Sequence, residues 1–343
     1  MAAGLATFMT MAYILAVNPS ILSEAGMDAN AVLLATCLAS FIGTVCMALM
    51  ANMPFALSAG MGLNAYLAYT VVLGQGISWQ IALFAVFVEG IVFIIMSLTN
   101  VREAIFNAIP LTLKRGVSVG IGLFIAFIGL QNAGLCVDSS TLVTITSFTE
   151  NFNTHGICAI LAVVGLLVTA ILYIKKVSGS ILIGIVATWG LGMLCQLAGI
   201  YVPNPEAGFY SLFPDFSNGL AIPSMAPTFM KVDFSIMKTF DFFIIMFAFL
   251  FVDVFDTMGT LIGVASQADL LDKDGKLPKA KGAMLADAIA TTFGAICGTS
   301  TVTTYVESAA GVAEGGRTGL TAITTAILFA LSLFLSPLFL AIP

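Results

Sequence analysis

Phe251-Val252-Asp253-Val254-Phe255-Asp256-Thr257-Met258-Gly259-Thr260 lies inside an apolar run that begins near Phe242. Read as a helix, it places Asp253, Asp256, Thr257 and Thr260 on one face. The surrounding residues read as a membrane span, and an ionisable side chain at bilayer depth is costly enough that its default reading is functional. Everything else in the chain bears on what these two acids need.

The 343 residues are 59% hydrophobic and only 9% charged, against roughly 25% charged in soluble domains. A soluble fold of this size could not hide so much apolar surface, so the chain reads as an all-α polytopic membrane protein. The net charge of -6 identifies no partner, and no basic patch suits nucleic acid. The six cysteines form no CxxC pair and fall mostly within apolar runs, where they read as small buried hydrophobes rather than disulfides or zinc ligands. No basic region precedes the first apolar run, so it reads poorly as a cleaved signal peptide. That run starts almost at the first residue, and the sequence stops inside another, so the chain reads as C-terminally truncated.

At ~20 apolar residues per crossing, the candidate spans are 2–22, 30–51, 77–99, 115–136, 157–174, 180–201, 240–267, 282–297 and 318–335, with a partial span from 336. Two segments differ, 52–74 and 297–316. The first contains Asn52-Met53-Pro54-Phe55-Ala56-Leu57-Ser58-Ala59-Gly60-Met61-Gly62-Leu63-Asn64-Ala65-Tyr66. It predicts a short extended piece after Pro54, then a half-length helix capped by Ser58. The second, around Thr299-Ser300-Thr301-Val302-Thr303-Thr304-Tyr305-Val306-Glu307, predicts a β-branched extended piece followed by a short helix. Paired interrupted segments at corresponding places in two halves point to a transporter binding site. Tyr13 to Asn64 and Asp256 to Glu307 are both intervals of 51 residues, as an internal repeat requires.

If each broken segment crosses once, Arg102, Lys114, Arg115, Lys175, Lys176, Lys273, Lys276, Lys279, Lys281 and Arg317 fall on one side, and only Lys231 and Lys238 on the other. The positive-inside rule then puts the N-terminus in the cytoplasm and the connection 202–239 outside. Trp79 reads as an interfacial anchor, and Asp274-Gly275 as a turn in the loop before the eighth span.

Seven acids fall in or at the edges of spans: Glu89, Asp241, Asp253, Asp256, Asp287, Glu307 and Glu314. No lysine, arginine or histidine lies clearly at mid-span, and the single histidine, His155, is in a loop. Buried acids in that setting must be protonated, capped by helix N-termini, or matched by a mobile cation or a donor-rich substrate. Glu89 and Asp287 read as bridges between packed helices, and Asp241 and Glu314 as interfacial. Asn64 and Glu307 open the two broken segments, whose backbone N–H groups can donate to a carbonyl. Tyr13, Phe55, Tyr66 and Tyr305 could stack on a ring. Together these groups suit a small planar molecule carrying both N–H donors and C=O acceptors. No GxxxxGK, HExxH or GxSxG in its required context is present, and two aspartates on one helix do not make an intramembrane aspartyl protease. An enzyme is therefore not expected, nor an organic cofactor or metal.

Thr10-Met11-Ala12-Tyr13-Ile14, Val17-Asn18-Pro19, Pro54-Phe55-Ala56, Gly60-Met61-Gly62-Leu63-Asn64-Ala65-Tyr66, FVDVFDTMGTLIG (251–263) and GTSTVTTYVESAAGVAEGGRTGL (298–320) resemble the AzgA-like guanine/hypoxanthine permeases. These belong to the nucleobase–cation symporter group that includes xanthine/uracil permeases and nucleobase/ascorbate transporters. The resemblance runs over essentially the whole chain. It implies two inverted seven-segment repeats, segments 3 and 10 being the discontinuous helices, arranged as core and gate domains. Residues 1–100 would be the first-repeat core and 101–201 the first-repeat gate. Residues 202–239 would be an external connection, 240–335 the second-repeat core and 336–343 the start of segment 12, leaving half the gate missing. It implies substrate contacts from Asp253 and Glu307, with Asn64 and Gly62 shaping the site and Tyr305 beside the substrate through its backbone. Asp256 would couple transport to a proton. The expected activity is import of guanine or hypoxanthine by proton symport across the plasma (inner) membrane, through elevator-like movement of core against gate, with a homodimer as the expected assembly. The alternative is a symporter for uracil, xanthine or adenine.

Overall fold

The computed structural model describes residues 1–99, 101, 104, 110–139, 142–149, 151–177, 179–204, 209–216, 222–233, 240–272 and 277–342. Arg102, Lys238, Lys273, Lys276 and the Asp274-Gly275 turn lie outside them. The first half contains α1 (Ala2–Met11), α2 (Ile14–Glu24), α3 (Ala29–Cys46), β1 (Leu57–Ala59), α4 (Met61–Ala65) and α5 (Trp79–Leu98). Next come α6 (Leu111–Asn132), β2 (Cys136–Ser139), β3 (Leu142–Ile145), α7 (Ile157–Ile174) and α8 (Ser180–Leu197). The last third holds α9 (Phe240–Gln267), α10 (Ala280–Cys297), β4 (Val302–Thr304), α11 (Ser308–Ala313), α12 (Gly319–Ser332) and α13 (Ser336–Leu340). Among the described residues, seven helical stretches are long and apolar enough to cross a membrane.

Both interrupted segments form as the sequence predicts. β1 and β4 pair antiparallel, Leu57 with Thr304, Ser58 with Thr303 and Ala59 with Val302. The ladder continues one residue beyond each end, Gly60 N–H donating to Thr301 C=O (2.9 Å) and Tyr305 N–H to Ala56 C=O (3.0 Å). These two bonds exchange under a two-fold axis through the Ser58–Thr303 pair, a local symmetry that agrees with an internal repeat. Each strand is also fastened in the same way to the long helix before it. The Thr44 hydroxyl of α3 accepts from Leu57 N–H (3.0 Å) and donates to its C=O (3.3 Å). The Thr291 hydroxyl of α10 does the same for Val302 (3.3 and 2.9 Å). In a dehydrated interior an unmet backbone polar group is expensive, and a threonine on each helix meets two of them.

Small residues let these elements approach. A Cβ on Gly90 of α5 would fall 2.8 Å from the Thr292 nitrogen of α10, and one on Gly43 of α3 would fall 2.6 Å from Ala290 Cβ. Close contact through such positions is the usual basis of helix association in lipid. Met47, Phe55, Leu57, Leu261, Met284 and Val302 share one apolar cluster, drawn from both repeats and wrapped around the crossing strands. Ile157, Trp189, Tyr201 and Leu212 form a separate one. Leu166, Leu167 and Ile171 of α7 and Leu194 of α8 point outward, as lipid-facing residues do.

One local expectation is corrected. Ser58 does not cap the following helix; it sits inside β1 with its hydroxyl 2.7 Å from that of Ser40, and Gly60 takes the N-cap position without a side-chain bond. Two features come in addition: the first span, Ala2–Glu24, is divided at Ala12–Tyr13 into α1 and α2, and the stretch after the fourth long apolar run forms a hairpin, β2 against β3, carrying the β-branched Val137, Val143, Thr144 and Ile145.

Candidate functional site

The crossing of β1 and β4 brings α4, α9 and α11 together with the break between α1 and α2. Glu307, the N-cap residue of α11, is partly exposed. The Tyr13 hydroxyl donates to its Oε1 (2.6 Å), and the Thr10 hydroxyl to its main-chain carbonyl (3.3 Å). The interruption at Ala12–Tyr13 thus delivers a phenol to a carboxylate 294 residues further on. Charge-assisted bonds of this length are among the stronger ones in proteins.

Asp253 and Asp256 share α9 but not an environment. Asp253 is completely buried and accepts from the Thr257 hydroxyl (2.9 Å). The same hydroxyl lies 3.0 and 3.2 Å from the two carboxyl oxygens of Asp287 on α10, which is also completely buried. Asp256, one turn along, is partly exposed. It is hydrogen-bonded to Thr303 at the centre of the strand crossing and feels the charges of Asp287 and Glu307.

The remaining expected residues gather at the same place. Asn64 is buried; its Oδ1 accepts from the Ser300 hydroxyl, and its Nδ2 has no hydrogen-bond partner among the described residues. Gly62 is partly exposed in the first turn of α4, where helix geometry leaves N–H groups without intrahelical acceptors. Tyr305 lies beside the cluster, but its backbone is engaged: N–H with Ala56 C=O (3.0 Å), and C=O with Ser308 N–H (3.1 Å). Its hydroxyl donates to Ala59 C=O.

The sequence did not single out Thr10, Thr257 as a bridge, or Thr303. It considered Tyr13 only as a stacking ring. Glu89 and Asp287 do connect elements, Glu89 by accepting from Thr301 just before β4 (2.9 Å). Three consecutive residues there are held by three helices, since Asn18 of α2 donates to Thr299 (2.9 Å), Asn64 of α4 meets Ser300, and Glu89 of α5 meets Thr301.

Two half-length helices meeting through short strands, with carboxylates and an orphaned amide at the crossing, define a membrane transporter rather than an enzyme. The fold agrees. The chain resembles the transmembrane domain of the cyanobacterial bicarbonate transporter BicA, with a TM-score of 0.64 at 13% identity over 99% of this chain and 84% of that one. Residues 1–343 match the permease family denoted Xan_ur_permease, and the chain belongs to that family. A permease of Methanocaldococcus jannaschii is 52% identical over 99% of this chain and 74% of its own length. The guanine/hypoxanthine permease PbuO of Bacillus subtilis is 48% identical over 98% and 74%. The adenine permease AdeQ of Escherichia coli is 39% identical over 99% and 72%.

Proposed function

We propose that this permease imports an oxopurine, guanine or hypoxanthine, together with a proton. The observation that carries the reading is the pair of partly exposed carboxylates, Asp256 and Glu307, at one strand crossing, with the buried Asn64 Nδ2 behind them left without a partner among the described residues. Guanine presents N1–H and N2 donors side by side, which one carboxylate can accept as a pair. Its O6 accepts from an amide or from the N–H groups at the start of α4. Adenine lacks the N1–H, so the same carboxylate would be left unpaired, and a buried polar group without its partner discriminates strongly. The identity to PbuO, higher than that to AdeQ, favours the same choice.

The resemblance gave Asp253 to the substrate and Asp256 to the proton. Burial favours the reverse in this conformation: Asp256 and Glu307 are the acids a ligand reaches, while Asp253 is sealed behind Thr257. Residues 1–100 and 240–335 would move as the core, elevator-fashion, against 101–201 as the gate. Two protomers in the plasma membrane, with cytoplasmic N-termini, complete the reading. No cofactor besides the coupling proton enters it.

Uptake of labelled guanine by proteoliposomes, in competition with hypoxanthine, adenine, xanthine and uracil, tests the substrate. Guanine and hypoxanthine are expected to compete in the same range, and adenine at least tenfold more weakly, about 1.4 kcal/mol. Saturable uptake of uracil alone would reject the assignment. Asp256→Asn is expected to abolish guanine binding, and Asp253→Asn to spare binding but lose accumulation. The opposite pattern would restore the roles implied by resemblance.

A further inference from the structure

The two repeats fasten their strands alike through one threonine each but differ one helical turn earlier. Thr44 and Thr291 stand 247 residues apart and hold their strands identically. One helical turn earlier, at the same separation, the first repeat has Ser40 and the second has Asp287. Ser40 turns to its strand and pairs with Ser58 (2.7 Å). Asp287 turns to α9 instead, where the Thr257 hydroxyl lies within 3.2 Å of both its oxygens and 2.9 Å from Asp253 Oδ1. One hydroxyl hydrogen thus stands among three carboxyl oxygens, all on side chains with no solvent exposure.

A hydroxyl donates one hydrogen and also accepts. If either acid is protonated, its O–H can donate to Thr257 Oγ while the Thr257 hydrogen goes to the other acid. If both are ionised, the Thr257 hydrogen can go to only one of them at a time, and like charges face one another in a medium that penalises them. We propose that Asp287 is a positioning residue for transport: acting through Thr257 it fixes the carboxyl of Asp253, and the two acids hold one proton between them. The proton moves from one carboxyl to Thr257 Oγ as the hydroxyl hydrogen passes to the other carboxyl, so the atoms balance without a further reactant. Such a pair titrates as a unit. The titratable groups around it include the buried Glu89 on α5, which packs against both α9 and α10, Asp256, which feels the charge of Asp287, and beyond it Glu307, Tyr13 and Tyr305. This inference deepens the transport reading and rests on it.

The test is labelled-guanine accumulation and equilibrium guanine binding by the intact permease in proteoliposomes, measured from pH 5 to 8. Asp287→Asn and Thr257→Val are each expected to lower accumulation about tenfold and to shift its pH midpoint by about one unit. Guanine affinity should stay within about threefold. Thr257→Ser, which keeps the hydroxyl, is expected to restore the wild-type profile, and the double variant Thr257→Val with Asp287→Asn should be no worse than either single one. A wild-type pH profile in Thr257→Val would overturn the proposal even if Asp287→Asn fails to fold, and so would additive losses in the double variant. Absence of guanine uptake by the wild type would instead reject the substrate reading.

Discussion

At the scale of residues, the site is a set of acids distinguished by their neighbours. Asp253 and Asp256 look equivalent in sequence, three positions apart on one helix. What separates them is contributed from elsewhere: Thr257 and Asp287 close over Asp253, while Thr303 and the opening toward Glu307 border Asp256. Glu307 in turn depends on Tyr13, whose hydroxyl donates to it at 2.6 Å. Tyr13→Phe removes that donor without changing the ring, and a bond to a charged group contributes about 1.5–3 kcal/mol. Guanine affinity measured by titration is expected to fall about tenfold or more, and an unchanged affinity would show that Glu307 is oriented by other groups. That two acids and a third on the second broken segment belong together was legible from spacing alone, because costly charges at bilayer depth stand out in an apolar chain. Which acid is open and which sealed was not, since burial is decided by α10 and β4, residues far along the chain. The break that aims Tyr13 was equally hidden, because the proline in the run from Ala2 to Leu22, Pro19, stands six residues beyond it.

At the scale of elements, the strand crossing is the part that composition announced most clearly. Gly, Pro, Ser and Thr broke two apolar runs at corresponding places, and both runs became a three-residue strand followed by a short helix. The antiparallel pairing itself, and its two-fold symmetry about Ser58 and Thr303, could not be read from either segment alone. The β2–β3 hairpin was missed because its two short strands follow directly on an apolar run and show no clean alternation of apolar and polar residues. The threonine fastenings give the crossing its rigidity. Thr44→Val and Thr291→Val each leave a buried N–H and C=O with poorer partners, at about 1–3 kcal/mol apiece. Thermal unfolding in detergent is expected to show a lower Tm for both, of similar size, since the two contacts are related by the repeat. A large loss for one and none for the other would mean that the repeats do not share the structural burden.

At the scale of the whole molecule, the repeats match in architecture and differ in charge. Ser40 answers to Asp287, and the neutral break at Tyr13 faces the acid Glu307. The half-helices of the two repeats meet at one crossing, to which the second repeat contributes Asp253, Asp256, Asp287 and Glu307 and the first contributes Glu89 and Tyr13. The proposed symport would draw on that uneven charge set. Membership in the permease family and the bicarbonate-transporter-like fold agree with that architecture and do not by themselves fix the coupling. The direct measurement is accumulation of labelled guanine in proteoliposomes under an imposed pH gradient, acid outside, with no sodium present. The proposed mechanism predicts uptake above equilibrium that collapses on adding a protonophore and is absent in Glu307→Gln. Uptake that only equilibrates, or that is indifferent to the protonophore, would contradict it.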